Sequence, residues 1–199
     1  MIRKALFAAI LPLAALSACG QAPAQDATPE PTMPMQAEMP DMVNETDADA
    51  APMIRMGGDV ISASGEAIGI LNIVSGPNGL LLEVTIDPNG LTPGWHSLHL
   101  HAVGNCDDLG VFKNSGGHVG MAMGGHGLLN PAGPEGGDLP NIWAAIDGSA
   151  GYEAFTTLTT AATLADEDGA ALIIHEARDD HMTQPIGGAG GRVACAVIR

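Results

Sequence analysis

Seven histidines carry most of the coordination chemistry this chain can offer, and they are unevenly spaced. His96, His99 and His101 crowd one short stretch, Trp95-His96-Ser97-Leu98-His99-Leu100-His101. Side chains on a strand alternate between faces, so His99 and His101 share one face while His96, Leu98 and Leu100 share the other. A His-x-His pair sets two nitrogen donors side by side, as a zinc or copper site needs. Taken alone, the pair is either half of a metal site or a solvated strand face. His118, His126, His175 and His181 follow, and Glu135, Asp138 and Asp179 lie among them in the sequence. Imidazole and carboxylate together suit a divalent transition metal.

Short apolar or alternating runs recur at 60–63, 67–74, 80–86, 95–103, 142–146, 152–159, 171–175 and 193–198. They stop at turn signals such as Ser75-Gly76-Pro77-Asn78-Gly79 and Asp87-Pro88-Asn89-Gly90. Valine, isoleucine and threonine enrichment with this punctuation predicts an all-β sandwich or barrel. No window long enough for a substantial helix carries a helical period. Two stretches break the rhythm, 104–141 and 176–191, both rich in glycine and holding His118, His126 and His181. Loops of that length inside one domain are functional or disordered, and the histidines favour function.

The first 18 residues read as an export leader. Arg3 and Lys4 precede an apolar run too short to span a bilayer. Leu16-Ser17-Ala18-Cys19 resembles a bacterial lipobox, which predicts lipidation of Cys19; the alternative is an ordinary cleaved signal peptide. Both readings export the protein. Gly20 follows the cysteine where an inner-membrane retention signal would have aspartate, so resemblance to bacterial lipoproteins implies the outer membrane, facing the periplasm. Residues 19–55 form a tether of Ala, Pro, Met, Asp and Glu with no hydrophobic period. Its Met33, Met35, Met39 and Met42 are either a Cu(I)-binding thioether cluster or linker composition. Residues 56–199 make one domain.

Charge limits the partners. Without Arg3 and Lys4, five basic residues face 23 acidic ones, a balance of −18. Nucleic acid and anionic membrane surfaces are thereby excluded as partners, leaving membrane attachment to the lipid alone. Beyond Cys19 there are two cysteines, Cys106 and Cys195, which an oxidising compartment pairs and a reducing one leaves as thiols.

Taken together and in order, these stretches resemble the bacterial copper/zinc superoxide dismutases. The likeness is carried by Gly94-Trp95-His96-Ser97-Leu98-His99-Leu100-His101, Gly104-Asn105-Cys106, Ser115-Gly116-Gly117-His118 and His126-Gly127. It continues through Gly137-Asp138-Leu139-Pro140-Asn141, Ile174-His175-Glu176, Asp179-Asp180 and Gly190-Gly191-Arg192-Val193-Ala194-Cys195. The resemblance implies a Greek-key β-barrel of about eight antiparallel strands with two long functional loops. It implies copper held by His99, His101, His118 and His175, with His118 bridging to zinc held by His126 and Asp138. It makes Asp179 the carboxylate bonded to His99 and His126, His96 a structural histidine, and Cys106–Cys195 a disulfide. Superoxide is the implied substrate, dismuted to oxygen and hydrogen peroxide by Cu(II)/Cu(I) cycling, with His118 exchanging a proton and Arg192 guiding the anion.

The sequence departs from the family at four places. Glu135 stands where a further zinc-binding histidine is usual; it either ligates zinc through oxygen or leaves that site weak. Val119-Gly120-Met121-Ala122-Met123 replaces an aromatic-Asn-Pro start, with Met121 and Met123 either packing or meeting Cu(I). His181 has no family role and is expected in a solvent-exposed loop. No lysine lies in 176–191, so anion attraction falls to Arg178 and Arg192. A copper-buffering lipoprotein on the same barrel is the rival to the enzyme. Oligomeric state is not readable.

Overall fold

The computed structural model describes residues 53–121 and 124–199. The leader, Cys19, the tether methionines Met33, Met35, Met39 and Met42, and Met123 lie outside the described residues. Within them the strands are β1 (Ile54–Ser62), β2 (Ala67–Gly76), β3 (Gly79–Ile86), β4 (Gly94–His96), β5 (Leu98–His101), β6 (Ile142–Ala144), β7 (Ala150–Thr156), β8 (Ala170–His175) and β9 (Arg192–Ile198). Seven pair antiparallel in the order β5-β8-β9-β1-β2-β3-β7, and β4 pairs with β6 in a separate ribbon. Because β4 runs into β5 and β6 lies beside β7, the ribbon spans the two edges of the curled sheet. The non-sequential neighbours β1–β9, β5–β8 and β3–β7 trace a Greek-key path. The helical elements include one α-turn at Ala161–Leu164 and one 3-10 turn at Lys113–Ser115.

Alternation builds the core. On β3, Leu80, Leu82, Val84 and Ile86 are buried while Glu83 and Thr85 face water. Leu98 and Leu100 on β5 join them with Leu172 and Ile174 on β8. Each such side chain contributes about 2 kcal/mol of burial free energy, which holds β5 in place.

Several strand limits differ from the sequence reading, two of them for a visible reason. The run 95–103 is not one strand: it breaks at Ser97, whose N–H and hydroxyl both donate to the Ala177 carbonyl, at 2.9 and 3.0 Å. β1 begins at Ile54 rather than at residue 60. Gly57, at φ 152°, hides the strand from a pattern search, yet a Cβ there would overlap the Leu71 carbonyl oxygen.

Both long irregular stretches exist, between β5 and β6 and between β8 and β9. A Cys106–Cys195 disulfide, with Cα atoms 6.0 Å apart, ties the first to β9. Phe112, fully buried, packs with Cys106, Cys195, Ala171 and Ile173 in a second small core.

Candidate metal centre

Strand alternation sends His99 and His101 from β5 to the face opposite Leu98 and Leu100. His118 reaches them from the first loop, which docks through a bridge between His101 and His118. His175 joins from the end of β8, paired to β9 at Arg192. All four imidazoles are buried, and one nitrogen from each lies within 4.8 Å of the others.

The four nitrogens that converge are unpaired. His99 Nδ1, His101 Nε2, His118 Nε2 and His175 Nε2 are buried with no hydrogen-bond partner. Buried polar atoms are rarely left so. The opposite ring nitrogens are anchored: His99 Nε2 to Asp179 Oδ2 at 2.9 Å, His101 Nδ1 to the Gly116 carbonyl at 2.9 Å and His175 Nδ1 to the Gly190 carbonyl at 3.4 Å. His118 Nδ1 meets Glu135 Oε2 at 2.7 Å. Each anchor fixes the N–H on the far nitrogen and aims a lone pair inward, the arrangement that a ligating imidazole requires. Burial lowers the pKa of His101 to about 2, with Arg192 adding to it, and burial with neighbouring His99 lowers His175 to about 3. Burial lowers His99 to about 4, with Asp179 opposing. These rings are neutral at neutral pH and offer lone pairs to a cation. The donor set fits copper in either oxidation state.

A second cluster shares His118. His118, His126, Glu135 and Asp138 are all buried and also bring one donor each within 4.8 Å of one another. Asp138 Oδ2 accepts the backbone N–H of Gly127 at 2.7 Å and of Glu135 at 2.9 Å. That leaves Oδ1 for His126 Nδ1, at 2.7 Å. Two imidazoles and two carboxylates suit zinc. Desolvation opposes the charge on His126, but the bonds to Asp138 and Asp179 outweigh it and hold its pKa up to about 10. Desolvation likewise opposes the charge on Asp138 and Asp179, whose pKa values nonetheless lie well below the usual carboxylate range, because histidine and backbone N–H donors surround them.

Asp179 joins the clusters, bonding His99 through Oδ2 and His126 through Oδ1, the latter at 3.1 Å. Sequence reasoning missed what holds Asp179. Asn141 clamps its backbone, donating from Nδ2 to the Asp179 carbonyl and accepting its N–H on Oδ1, both at 2.9 Å. Gly187, at φ 61°, lies against the carboxylate so closely that a Cβ would overlap Oδ1. Gln184 brackets His126, its Oε1 accepting the backbone N–H at 3.0 Å and its Nε2 donating to the carbonyl at 2.7 Å. Gly187 and Gln184 carry no spacing signal of their own, and Asn141, though part of a family-like stretch, does not name its partner in the sequence.

Arg192 is clamped by three acceptors. Nη1 donates to the Phe112 carbonyl at 2.6 Å and to Ser115 Oγ at 2.9 Å, and Nη2 to the Gly116 carbonyl at 2.8 Å. The Gly116 carbonyl also accepts His101 Nδ1, so guanidinium and imidazole share one anchor. Arg178, the second cation expected to attract the anion, is differently employed: its guanidinium stacks 5.2 Å above the Trp95 ring.

His96 is buried, with Nδ1 2.7 Å from the His175 carbonyl and Nε2 2.8 Å from that of Thr92. It ties β4 to the end of β8. His181 is not the solvent-exposed loop residue expected. It is half-buried in a left-handed conformation at φ 60°, its Nε2 accepts from Asn141 Nδ2 at 3.0 Å, and its Nδ1 lies 3.4 Å from Asp179 Oδ2. The turn at Asp179 folds it inward. Met121 is exposed, with its thioether beside Gly117.

A family model described as copper/zinc superoxide dismutase (SODC) matches residues 67–198. The chain is 44% identical over 147 residues to the Cu-Zn superoxide dismutase of Caulobacter vibrioides, covering 70% of this chain and 83% of that one. A SOD-like protein of Bacillus subtilis has a solved structure that superposes with a TM-score of 0.64 at 32% identity, over 73% of this chain and 98% of that one. The Cu/Zn superoxide dismutase of Brucella abortus superposes with a TM-score of 0.58 at 26% identity, over 74% of this chain and all of that one. With both metal clusters already assembled by the fold, the chain belongs to the copper/zinc superoxide dismutase family.

Proposed function

We propose that this chain is an exported superoxide dismutase that converts two superoxide ions and two protons to oxygen and hydrogen peroxide. The observation that carries the reading is the set of four unpaired nitrogens on His99, His101, His118 and His175. Copper held there supplies one-electron exchange between Cu(II) and Cu(I). The zinc ligands in this reading are His118, His126, Asp138 and Glu135, whose Oε2 lies 4.0 Å from His126 Nδ1 and closer to His118.

The chain's own residues do the rest. His118 keeps Nδ1 committed to the Glu135 side, so Nε2 is the atom that exchanges a proton for peroxide formation. Arg192, fixed by carbonyls rather than by an acid, keeps its positive charge available to an anion and adds hydrogen bonds. Asp179 orients His99 and His126 together.

Export and anchoring complete the proposal: a leader at 1–18, lipid on Cys19, a tether over 19–55 and the barrel over 56–199, facing the periplasm from the outer membrane. The leader composition, the lipobox-like stretch and a Cys106–Cys195 disulfide support it. The mass of the membrane-extracted protein tests it; an unlipidated N-terminus would overturn the anchor.

The rival, a copper-buffering protein without turnover, gives no role to a clamped Arg192. One preparation decides between them, with copper and zinc counted per chain and superoxide removal assayed on the same sample. The enzyme reading expects activity proportional to copper. Copper-loaded protein without activity would overturn it.

A further inference from the structure

The two clusters differ in one respect. At the first, four buried nitrogens lack partners; at the second, apart from the shared His118 Nε2 that faces the first, no nitrogen or carboxylate oxygen is left over among the buried unpaired atoms. The reason is a pairing of unlike groups. His118 Nδ1 lies 2.7 Å from Glu135 Oε2, and His126 Nδ1 lies 2.7 Å from Asp138 Oδ1. The crossed separations are longer, 3.5 Å from His118 to Asp138 and 4.0 Å from His126 to Glu135. Two donors each about 2.0–2.1 Å from a tetrahedral zinc would stand about 3.3–3.4 Å apart. The short distances are therefore those of N–H···O⁻ hydrogen bonds, one carboxylate to each imidazole.

We propose that Glu135 makes the copper site independent of zinc. It is a positioning residue: by accepting the N–H of His118 Nδ1, it fixes the tautomer that points the Nε2 lone pair at the other three imidazoles. A bound zinc would hold His118 from the same side, and the carboxylate does so without it. Asp138 cannot serve both rings, because its Oδ2 is occupied by the backbone N–H groups of Gly127 and Glu135 and its Oδ1 by His126. A histidine at 135 would leave three imidazoles facing one free carboxylate oxygen, and His118 without an acceptor. Glu135 is 4% exposed, so water does not offer a comparable partner. The inference rests on the reading of His99, His101, His118 and His175 as the copper ligands.

The test uses the purified protein freed of metal and given copper alone, or copper after zinc. Copper affinity is read by competition with a chromophoric chelator, and site geometry by the Cu(II) electron paramagnetic resonance spectrum. In the wild type, zinc is expected to change copper affinity by less than about twofold and to leave one spectral species. In Glu135→Ala, zinc-free copper affinity is expected to fall about tenfold, the lower end for loss of a carboxylate orienting a ligand, with several species in the spectrum. Glu135→Gln, which keeps an acceptor oxygen, is expected to recover most of the affinity and one species. Glu135→His is expected to need zinc for wild-type copper affinity. A tenfold gain in wild-type copper affinity on adding zinc would overturn the inference. So would zinc-free Glu135→Ala behaving like wild type. Failure of the wild type to take one copper per chain under either condition would instead overturn the copper-site reading itself, and the inference with it.

Discussion

Desolvation decides how the individual histidines behave. His99, His101 and His175 have folded pKa values of about 4, 2 and 3, all below the 6.5 of an unfolded histidine, because burial disfavours their charged forms. Below pH 6.5 the unfolded chain gains protons at these sites that the folded chain refuses, so they favour unfolding increasingly as pH falls. His126 works the other way: desolvation notwithstanding, Asp138 and Asp179 raise it to about 10, so its contribution is complete below pH 6.5 and fades from there to about pH 10. The metal-free protein is therefore expected to have its highest melting temperature near pH 6.5, falling toward pH 4 and toward pH 10; calorimetry across that range checks this, and a rise toward pH 4 would contradict it. Arg192→Lys should lower kcat/KM for superoxide by about tenfold while copper content is kept, because an ammonium cannot replace the fork that three oxygens hold. Stopped-flow disproportionation on metal-matched samples reads that loss. The sequence revealed His99 and His101 through their alternation, whereas the copper set became legible only through resemblance. Glu135 was visible as a departure, but its partner was not, because pairing with His118 depends on how two loop segments 17 residues apart fold back.

The strands supply stiffness and most of the first cluster, and the two loops supply the rest. β5 and β8 bring three imidazoles from paired strands, and β9 brings Arg192 from the strand beside β8. The first loop adds His118 and, through the Phe112 and Gly116 carbonyls, the clamp on Arg192. Phe112 packs against Cys106 and Cys195, so the disulfide acts on Arg192 through this loop rather than merely by its nearness in sequence. The bridge closes an 89-residue separation and contributes at most about 4–5 kcal/mol in the chain-entropy model. The Cys106→Ser, Cys195→Ser double variant should lose stability toward that limit in denaturant titration, and lose kcat/KM more than copper affinity; loss of copper with kcat/KM intact per copper would contradict the route. Gly187→Ala should disturb Asp179 and so lower zinc and copper retention together, measured by metal content after dialysis. Most strands were legible because Val, Ile and Leu alternate between turn signals. Gly57 concealed the start of β1, and the break at Ser97 arose from bonds to Ala177, far away in sequence and invisible to local pattern.

At the scale of the molecule, an acidic surface meets an anionic substrate. Five basic residues against 23 acidic ones outside residues 1–18 leave little long-range attraction, and Arg178 is held over the Trp95 ring. Attraction is local to Arg192, which lies within a Debye length of any anion near the four imidazoles. The rate constant is accordingly expected to change by less than about twofold between low and physiological salt; a steep fall with added salt would show a steering field that the charge distribution does not contain. The central claim is that the four converging nitrogens of His99, His101, His118 and His175 hold the catalytic copper. Electron paramagnetic resonance of the copper-loaded protein, compared with His101→Ala at equal copper, tests it most directly. The account predicts one nitrogen-rich Cu(II) species in the wild type that is lost or rebuilt with fewer nitrogens in the variant. An unchanged spectrum at full copper occupancy in His101→Ala would contradict it.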